Sequence, residues 1–124
     1  MIIRIVDLQI QERHIERAKE LISEVAPKVR AFNGCLYLEL NYDLHKLGHV
    51  QTYSRWISED HLNEYRDSDV FLSFWKNLKP LFEIPARAWS FESREITRWK
   101  EGGKKGRGKK TNQLNLSLYQ KILR

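Results

Sequence analysis

Apolar residues in the first third of the chain change from a strand period to a helix period. Residues 2–10 alternate, and both alternating sets are largely apolar, which predicts a strand covered on both faces. Over residues 12–32 apolar positions recur every three or four residues, which predicts an amphipathic helix. Pro27 should kink or divide this helix, because proline cannot donate to the preceding turn. Asn33-Gly34 then predicts a left-handed stop.

The middle of the chain has the pattern of a β-hairpin. Residues 35–42 and 49–57 alternate, and the polar, glycine-terminated segment 43–48 between them has the composition of a loop. The first alternation groups four side chains on one face: Leu36, Leu38, Leu40 and Tyr42. The second does the same for Val50, Thr52, Ser54 and Trp56.

A helix start signal follows the hairpin. Ser58 precedes two carboxylates, so a hydroxyl can cap free backbone N–H groups while negative charge faces the positive end of the helix dipole. A second start is predicted at Ser68, and helical spacing continues to Phe82. Residues 84–92 predict a closing strand with its proline near the start, where a missing N–H matters least.

The predicted order of elements is β-α-β-β-α-β. This order favours an α+β, ferredoxin-like fold with one four-stranded antiparallel sheet and both helical segments on one face. The other face would carry residues such as Tyr37 and Tyr53 and would need a cover. A second copy of the same sheet is the economical cover, so we expect a homodimer.

Charge is distributed unevenly, although the net charge is +6. Residues 1–92 contain 12 Lys and Arg against 14 Asp and Glu, whereas residues 93–124 contain 10 against 2. We therefore divide the chain into a folded domain, 1–92, and a basic, Gly/Lys-rich tail, 93–124, with a weak strand signal at 112–119. Because the basic character belongs to the tail, nucleic-acid binding by the domain is not expected.

The remaining composition predicts the compartment. The single cysteine, Cys35, excludes an internal disulfide framework and fits a reducing environment. No run approaches the roughly 18 apolar residues of a membrane span, and the first residues alternate instead of forming a signal peptide. We expect a cytoplasmic protein with no membrane contact.

Four stretches carry a resemblance to a known family. They are Ile-Ile-Arg-Ile-Val (2–6), Arg-Ala-Phe-Asn-Gly-Cys-Leu-Tyr-Leu-Glu (30–39), Thr-Tyr-Ser-Arg-Trp-Ile-Ser-Glu-Asp-His-Leu (52–62) and Tyr-Arg-Asp-Ser-Asp-Val-Phe (65–71). With these, the chain resembles the antibiotic biosynthesis monooxygenase family of dimeric α+β barrel proteins over about residues 1–92. That family includes cofactor-independent quinol and anthrone monooxygenases and haem-degrading monooxygenases.

The resemblance implies oxygenation of a small aromatic quinol or phenol by O₂, with no cofactor and no metal. Trp75 stands where the haem-degrading members carry their axial histidine, which argues against haem degradation. Thr52 stands where the anthrone-oxidising members carry an asparagine, while Trp56 matches. The alternative is a non-catalytic, dimeric small-ligand-binding or stress-response module of the same fold.

Nine residues are candidates for the site. Trp56, Asp7 and Thr52 are the candidate catalytic residues, and a buried Asp7 would have a raised pKa and could act as the base. The candidate substrate-binding residues are Tyr65, Phe71, Phe74, Trp75, His49 and Arg87.

Plainer roles remain open for several of these residues. The aromatic side chains also fit core packing, Asp7 also fits a polar position at a strand edge or a dimer contact, and the histidines also fit solvated positions. The tail also fits a strand added to the sheet edge of a partner or a second subunit.

Overall fold

The computed structural model describes residues 1–97. Residues Met1–Ser93 form a compact unit. Its strands are β1 Ile2–Gln9, β2 Cys35–Tyr42, β3 His49–Trp56 and β4 Arg87–Glu92, and its helices are α1 Ile15–Arg30, α2 Glu59–Arg66 and α3 Asp69–Leu78. Short 3₁₀ turns occupy Glu12–His14 and Lys79–Leu81. The predicted strand at 112–119 and the rest of the tail beyond residue 97 lie outside the described residues.

Helix α1 is not divided at Pro27, contrary to one of the two predicted effects of this residue. The helix runs without interruption from Ile15 to Arg30, and the carbonyl of Pro27 accepts a hydrogen bond from the N–H of Ala31 at 3.1 Å. Proline removes only one donor in the last turn, and the apolar stripe continues beyond it to the buried Val29. The predicted turn glycine, Gly34, has a φ of +91°.

The four strands form one antiparallel sheet in the order β2-β3-β1-β4, so the predicted α+β, ferredoxin-like fold is confirmed. Strand β1 lies between β3 and β4, with Arg4 opposite Ser54 and Ser90. Asp7, on the other face of β1, lies opposite Gln51 and Arg87. Directly opposed residues point to the same face of a sheet, so this register sorts the side chains into two faces.

An irregularity in β2 corrects one predicted grouping. The register shifts between Cys35 and Tyr37, so Cys35 lies opposite Trp56 and Tyr37 lies opposite Arg55. Leu36 is the extra residue at this bulge and is 43% exposed, whereas the alternation predicted it beside Leu38.

The helices cover the face of the sheet that carries Trp56. Two hydrophobic clusters lie beneath them. The buried members of the first are Leu8, Ile10, Ala18, Leu21, Ile22, Val50 and Leu78. Those of the second are Val29, Cys35, Trp56 and Leu62. No helix within residues 1–97 has both the length and the apolar character needed to cross a membrane.

The opposite face, here called the open face, consists of Ile3, Ile5, Asp7, Tyr37, Glu39, Tyr53, Arg55, Trp89, Phe91 and their neighbours of the same parity. Three of its aromatic side chains are substantially exposed in the single chain: Tyr37 at 44%, Trp89 at 42% and Phe91 at 51%. Arg55 lies over the rings of Tyr37 and Tyr53, with its guanidinium carbon 5.9 and 5.4 Å from the ring centroids.

Candidate functional site

Strand β3 and helices α2 and α3 are joined by capped turns that bring their aromatic residues together. Ser58 caps α2 by accepting a hydrogen bond from the N–H of His61 at 3.3 Å. Ser68 caps α3 by accepting one from the N–H of Phe71 at 3.2 Å. Both predicted helix starts are confirmed. Because strand, cap and helix follow each other within a few residues, Trp56 at the strand end packs beneath the helix that begins next.

A cavity of about 470 Å³ lies between the sheet and the helices. This volume falls within the roughly 300–1,000 Å³ that is usual for small-molecule sites. Its walls include residues from both hydrophobic clusters, such as Leu8 and Leu78 of the first and Val29 and Leu62 of the second. The cavity therefore borders both parts of the core.

Four aromatic rings form a continuous wall of the cavity, here called the aromatic wall: Trp56, Tyr65, Phe71 and Trp75. Trp56 and Tyr65 are stacked, with centroids 5.0 Å apart, and Phe71 and Trp75 are stacked at 5.6 Å. An edge-to-face contact between Tyr65 and Phe71 at 5.3 Å joins the two pairs. Such a wall offers flat apolar surface to a planar ligand.

The indole of Trp56 is held in one orientation. Its side chain is completely buried, and its Nε1–H donates to Ser54 Oγ at 2.9 Å. Phe32 contacts it edge-to-face with centroids 6.4 Å apart. A hydrogen bond, a stack and an edge contact together fix the plane of the ring, which makes it a rigid part of the wall.

Two arginines and a tyrosine of the cavity lie on β1 and α2. Arg4, from the central strand, is half-buried and donates to Ser90 Oγ at 2.9 Å. Burial lowers the pKa of Arg4, and the positive charge of Arg66 lowers it further. Burial raises the pKa of the Tyr65 hydroxyl far above its usual range. Tyr65 is therefore a neutral hydrogen-bond donor near neutral pH.

A second polar group, here called the open-face charge cluster, consists of Asp7, Asp43, His49 and Arg87. His49 Nε2 lies 2.6 Å from Asp7 Oδ1, and its Nδ1 lies 2.7 Å from Asp43 Oδ2. Arg87 donates to the other oxygen of Asp7 at 3.0 Å. The hydrogen bonds to Asp43 and Asp7 raise the pKa of His49, and the bond with His49 lowers the pKa of Asp43 to about 2.

The structure separates the predicted site residues into two groups on opposite faces of the sheet. Six of the nine line the cavity: Thr52, Trp56, Tyr65, Phe71, Phe74 and Trp75. The other three, Asp7, His49 and Arg87, meet in the open-face charge cluster. The proposed base and the proposed aromatic pocket are therefore not brought together within one chain.

The two arginines of the cavity, Arg4 and Arg66, were missed from the sequence. Arg4 did leave a signal, because it is the one charged residue in its otherwise apolar alternating set on the first strand. Arg66 left none, since a basic residue in the last turn of a helix is ordinary. Within residues 1–97, no three side chains of His, Cys, Asp or Glu are arranged to hold a metal ion.

Comparison with known structures defines the class of fold. One solved antibiotic biosynthesis monooxygenase is 18% identical, with a TM-score of 0.73, covering 77% of this chain and 100% of that chain. A candidate antibiotic biosynthesis monooxygenase from Deinococcus radiodurans is 20% identical, with a TM-score of 0.73 and coverage of 79% and 97%. Another from Caulobacter crescentus is 19% identical, with a TM-score of 0.72 and coverage of 76% and 90%. At these identities the likeness establishes the fold alone.

The family follows from the sequence match. The family model described as antibiotic biosynthesis monooxygenase matches residues 1–77. The chain belongs to the antibiotic biosynthesis monooxygenase family. No curated protein matches it.

Proposed function

We propose that this protein is a cofactor-independent monooxygenase that oxidises a small aromatic quinol or phenol with O₂. The observation that carries the proposal is the cavity of about 470 Å³ with its aromatic wall and adjoining guanidinium groups. Membership of the family supports the reaction class, and the cavity supports the kind of substrate.

The reaction balances without an external reductant. A quinol and O₂ give a hydroxyquinone and water, with one oxygen atom in the product and the other in the water. The aromatic substrate supplies all four electrons once it is deprotonated, so the protein must bind it, favour its anion and admit O₂.

Residues of the cavity match these tasks. Tyr65, Phe71 and Trp75, which are only partly buried, contact the flat ring of the substrate. Trp56 is fully buried and holds Tyr65 by stacking on it, and Thr52 supplies a nearby hydroxyl on the sheet. Tyr65 keeps its proton, so its hydroxyl can donate a hydrogen bond to an oxyanion of the substrate. A fixed donor of this kind stabilises a negative charge where water is excluded. Arg4 supplies positive charge from the sheet.

The positive charges also affect how the substrate loses its proton. A cation close to a phenol lowers the phenol's pKa, because it stabilises the charged form. With Arg4 and Arg66 nearby, a bound phenol could transfer its proton directly to water, so that no carboxylate base is needed in the cavity. This route differs from the predicted use of Asp7, whose carboxylate is paired on the open face.

The proposal includes a homodimer built on the open face. Tyr37, Trp89 and Phe91 expose much of their aromatic surface there, and such surface is typical of the core of a protein interface. Phe91→Asp should convert the dimer to a monomer in sedimentation experiments. Leu44→Asp, at a loop position that is 91% exposed, is the control and should leave the mass unchanged. A monomeric wild-type protein would contradict this part.

The activity is tested by O₂ uptake. Purified, chelator-treated full-length protein is presented with a panel of quinols and anthrones, beside Trp56→Phe and Tyr42→Phe. Tyr42 is an exposed aromatic residue that does not line the cavity, so it is a matched control. We expect uptake by the wild type and by Tyr42→Phe. Trp56→Phe should lose roughly tenfold to a hundredfold, because a substrate misplaced by about 1 Å can react about a hundredfold more slowly.

The possible results separate enzyme from binding module. Uptake that survives chelation and depends on Trp56 supports the oxygenase. A substrate that binds in the cavity with no uptake across the panel contradicts the oxygenase and favours the non-catalytic small-ligand-binding module.

A further inference from the structure

The charges at the cavity do not balance within residues 1–97. Its charged lining residues are Arg4, Arg66 and Glu39. Glu39 belongs to the open face by register, and its carboxylate accepts hydrogen bonds from Tyr37 at 2.8 Å and Asn41 at 2.9 Å. Neither arginine forms an ion pair with any acidic residue in this part of the chain. Within residues 1–97, the cavity thus holds two guanidinium groups without a carboxylate partner.

Of the two cations, Arg4 gives the stronger evidence for a negatively charged ligand. It stands in the middle of the central strand with a serine opposite on each neighbour, Ser54 and Ser90. Its guanidinium has five N–H donors, and the one hydrogen bond found for it in residues 1–97 goes to the neutral hydroxyl of Ser90. The site therefore retains donors that a negatively charged group could use.

Arg66 has an ordinary explanation, since a cation in the last turn of α2 is favoured by the helix dipole. That explanation does not extend to Arg4, which lies on a strand. The two guanidinium groups also repel each other, and this repulsion adds to the effect of burial in lowering the pKa of Arg4. A bound anion would offset both this repulsion and the cost of desolvating Arg4.

The shape of the cavity adds the second requirement on the ligand. Most of its lining is apolar, and the aromatic wall presents the partly exposed rings of Tyr65 and of the stacked pair Phe71 and Trp75. An inorganic anion would leave this wall unused. A neutral aromatic molecule would leave the two guanidinium groups unused.

We propose that the cavity binds an aromatic organic acid that is already anionic at neutral pH, with its carboxylate at Arg4 and Arg66 and its ring against the aromatic wall. This inference rests on the proposed function only in placing the substrate in the same cavity. It names the substrate class as an aromatic carboxylate that also carries the oxidisable hydroxyl groups.

The test compares two probes of equal shape, 2-naphthoate and 2-naphthamide, by calorimetric titration of the full-length protein at neutral pH. We expect the carboxylate to bind at least about tenfold more tightly than the amide, because it forms charge-assisted hydrogen bonds with guanidinium groups. In Arg4→Gln the preference should fall to within about threefold, while the affinity for the amide stays nearly constant.

The controls keep the outcome interpretable. Arg17→Gln removes an exposed arginine of α1 that pairs with Glu20, and it should leave the preference unchanged. If Arg4→Gln does not fold, Arg66→Gln provides the same test from the exposed end of α2. Equal affinity for the two probes, binding of neither probe, or a preference that survives in both variants overturns the inference.

Binding is measured without turnover, so the two proposals can fail separately. A strong preference for 2-naphthoate in a protein that consumes no O₂ contradicts the oxygenase and leaves the ligand class standing. O₂ uptake with neutral quinols and no preference between the two probes contradicts the ligand class and leaves the oxygenase standing.

Discussion

Removing the hydroxyl of Ser54 should destabilise the protein mainly through Trp56. The indole N–H of Trp56 donates to Ser54 Oγ at 2.9 Å, and both side chains are buried. In Ser54→Ala the indole N–H would remain buried without an acceptor. The cost of such an unsatisfied donor is about 1–3 kcal/mol.

The same substitution should cost far less when the donor is absent. In the Trp56→Phe background no indole N–H needs a partner, and replacing both members of a buried hydrogen bond by apolar groups is nearly neutral in the hydrogen-bond term. Trp56→Phe alone also loses packing against Phe32 and Tyr65, so it serves as the reference for the second arm of the cycle. The interaction energy from the double-mutant cycle should lie at about 1–3 kcal/mol.

Urea unfolding measures this cycle. With an m-value of about 1–3 kcal/mol/M for a domain of this size, a loss of about 2 kcal/mol moves the midpoint by roughly 1 M. Protein concentration is held constant, since association would stabilise the folded state. Ser73→Ala, at an exposed position on α3, is the matched control and should stay within about 0.5 kcal/mol of wild type. An equal loss from Ser54→Ala in both backgrounds would refute the reasoning.

Three further predictions concern stability. Because the pKa of His49 is raised in the folded state, its contribution is complete below its ordinary value of 6.5 and is lost as the pH rises through the raised pKa. The urea midpoint should fall over that range and His49→Gln should flatten the fall; a wild-type midpoint independent of pH there contradicts the charge cluster. Gly34→Ala should cost more than about 1–2 kcal/mol, because φ is +91° and the new Cβ would lie 2.4 Å from His61 Cβ. An unchanged thermal midpoint would contradict the left-handed conformation and the close contact at Gly34. Ser68→Ala should cost about 1 kcal/mol by removing the cap on the Phe71 N–H, and Ser68→Asp should restore most of it; equal losses in both variants would mean that the cap contributes little.

Much of the fold could be predicted because its signals are local. Ser58 and Ser68 announce helix starts through the hydroxyls they place beside free N–H groups, and both caps form. Alternation in β3 placed Thr52, Ser54 and Trp56 on one face, where all three line the cavity. Helical spacing likewise grouped the aromatic residues of α2 and α3, which line the cavity.

Two predictions made from local sequence signals were wrong: the division of α1 at Pro27 and the placing of Leu36. Pro27 does not divide α1, because a proline in the last turn removes a single donor while the apolar stripe continues to bury the helix. The bulge at Leu36 reverses the alternation of β2 at its first residues, and simple parity contains no sign of such an inserted residue.

The sequence by itself determined which residues of β1 share a face: Arg4 with Val6 and Leu8, and Asp7 with Ile3 and Ile5. It did not determine which of these two sets joins Trp56. That depends on the pairing of Ile2 with Trp56, a contact between distant parts of the chain. Because side chains alternate with a period of two, a shift of one residue would have exchanged Arg4 for Asp7 at the cavity. Only the tertiary structure decided that the cavity received a guanidinium group and that the carboxylate went to the opposite face.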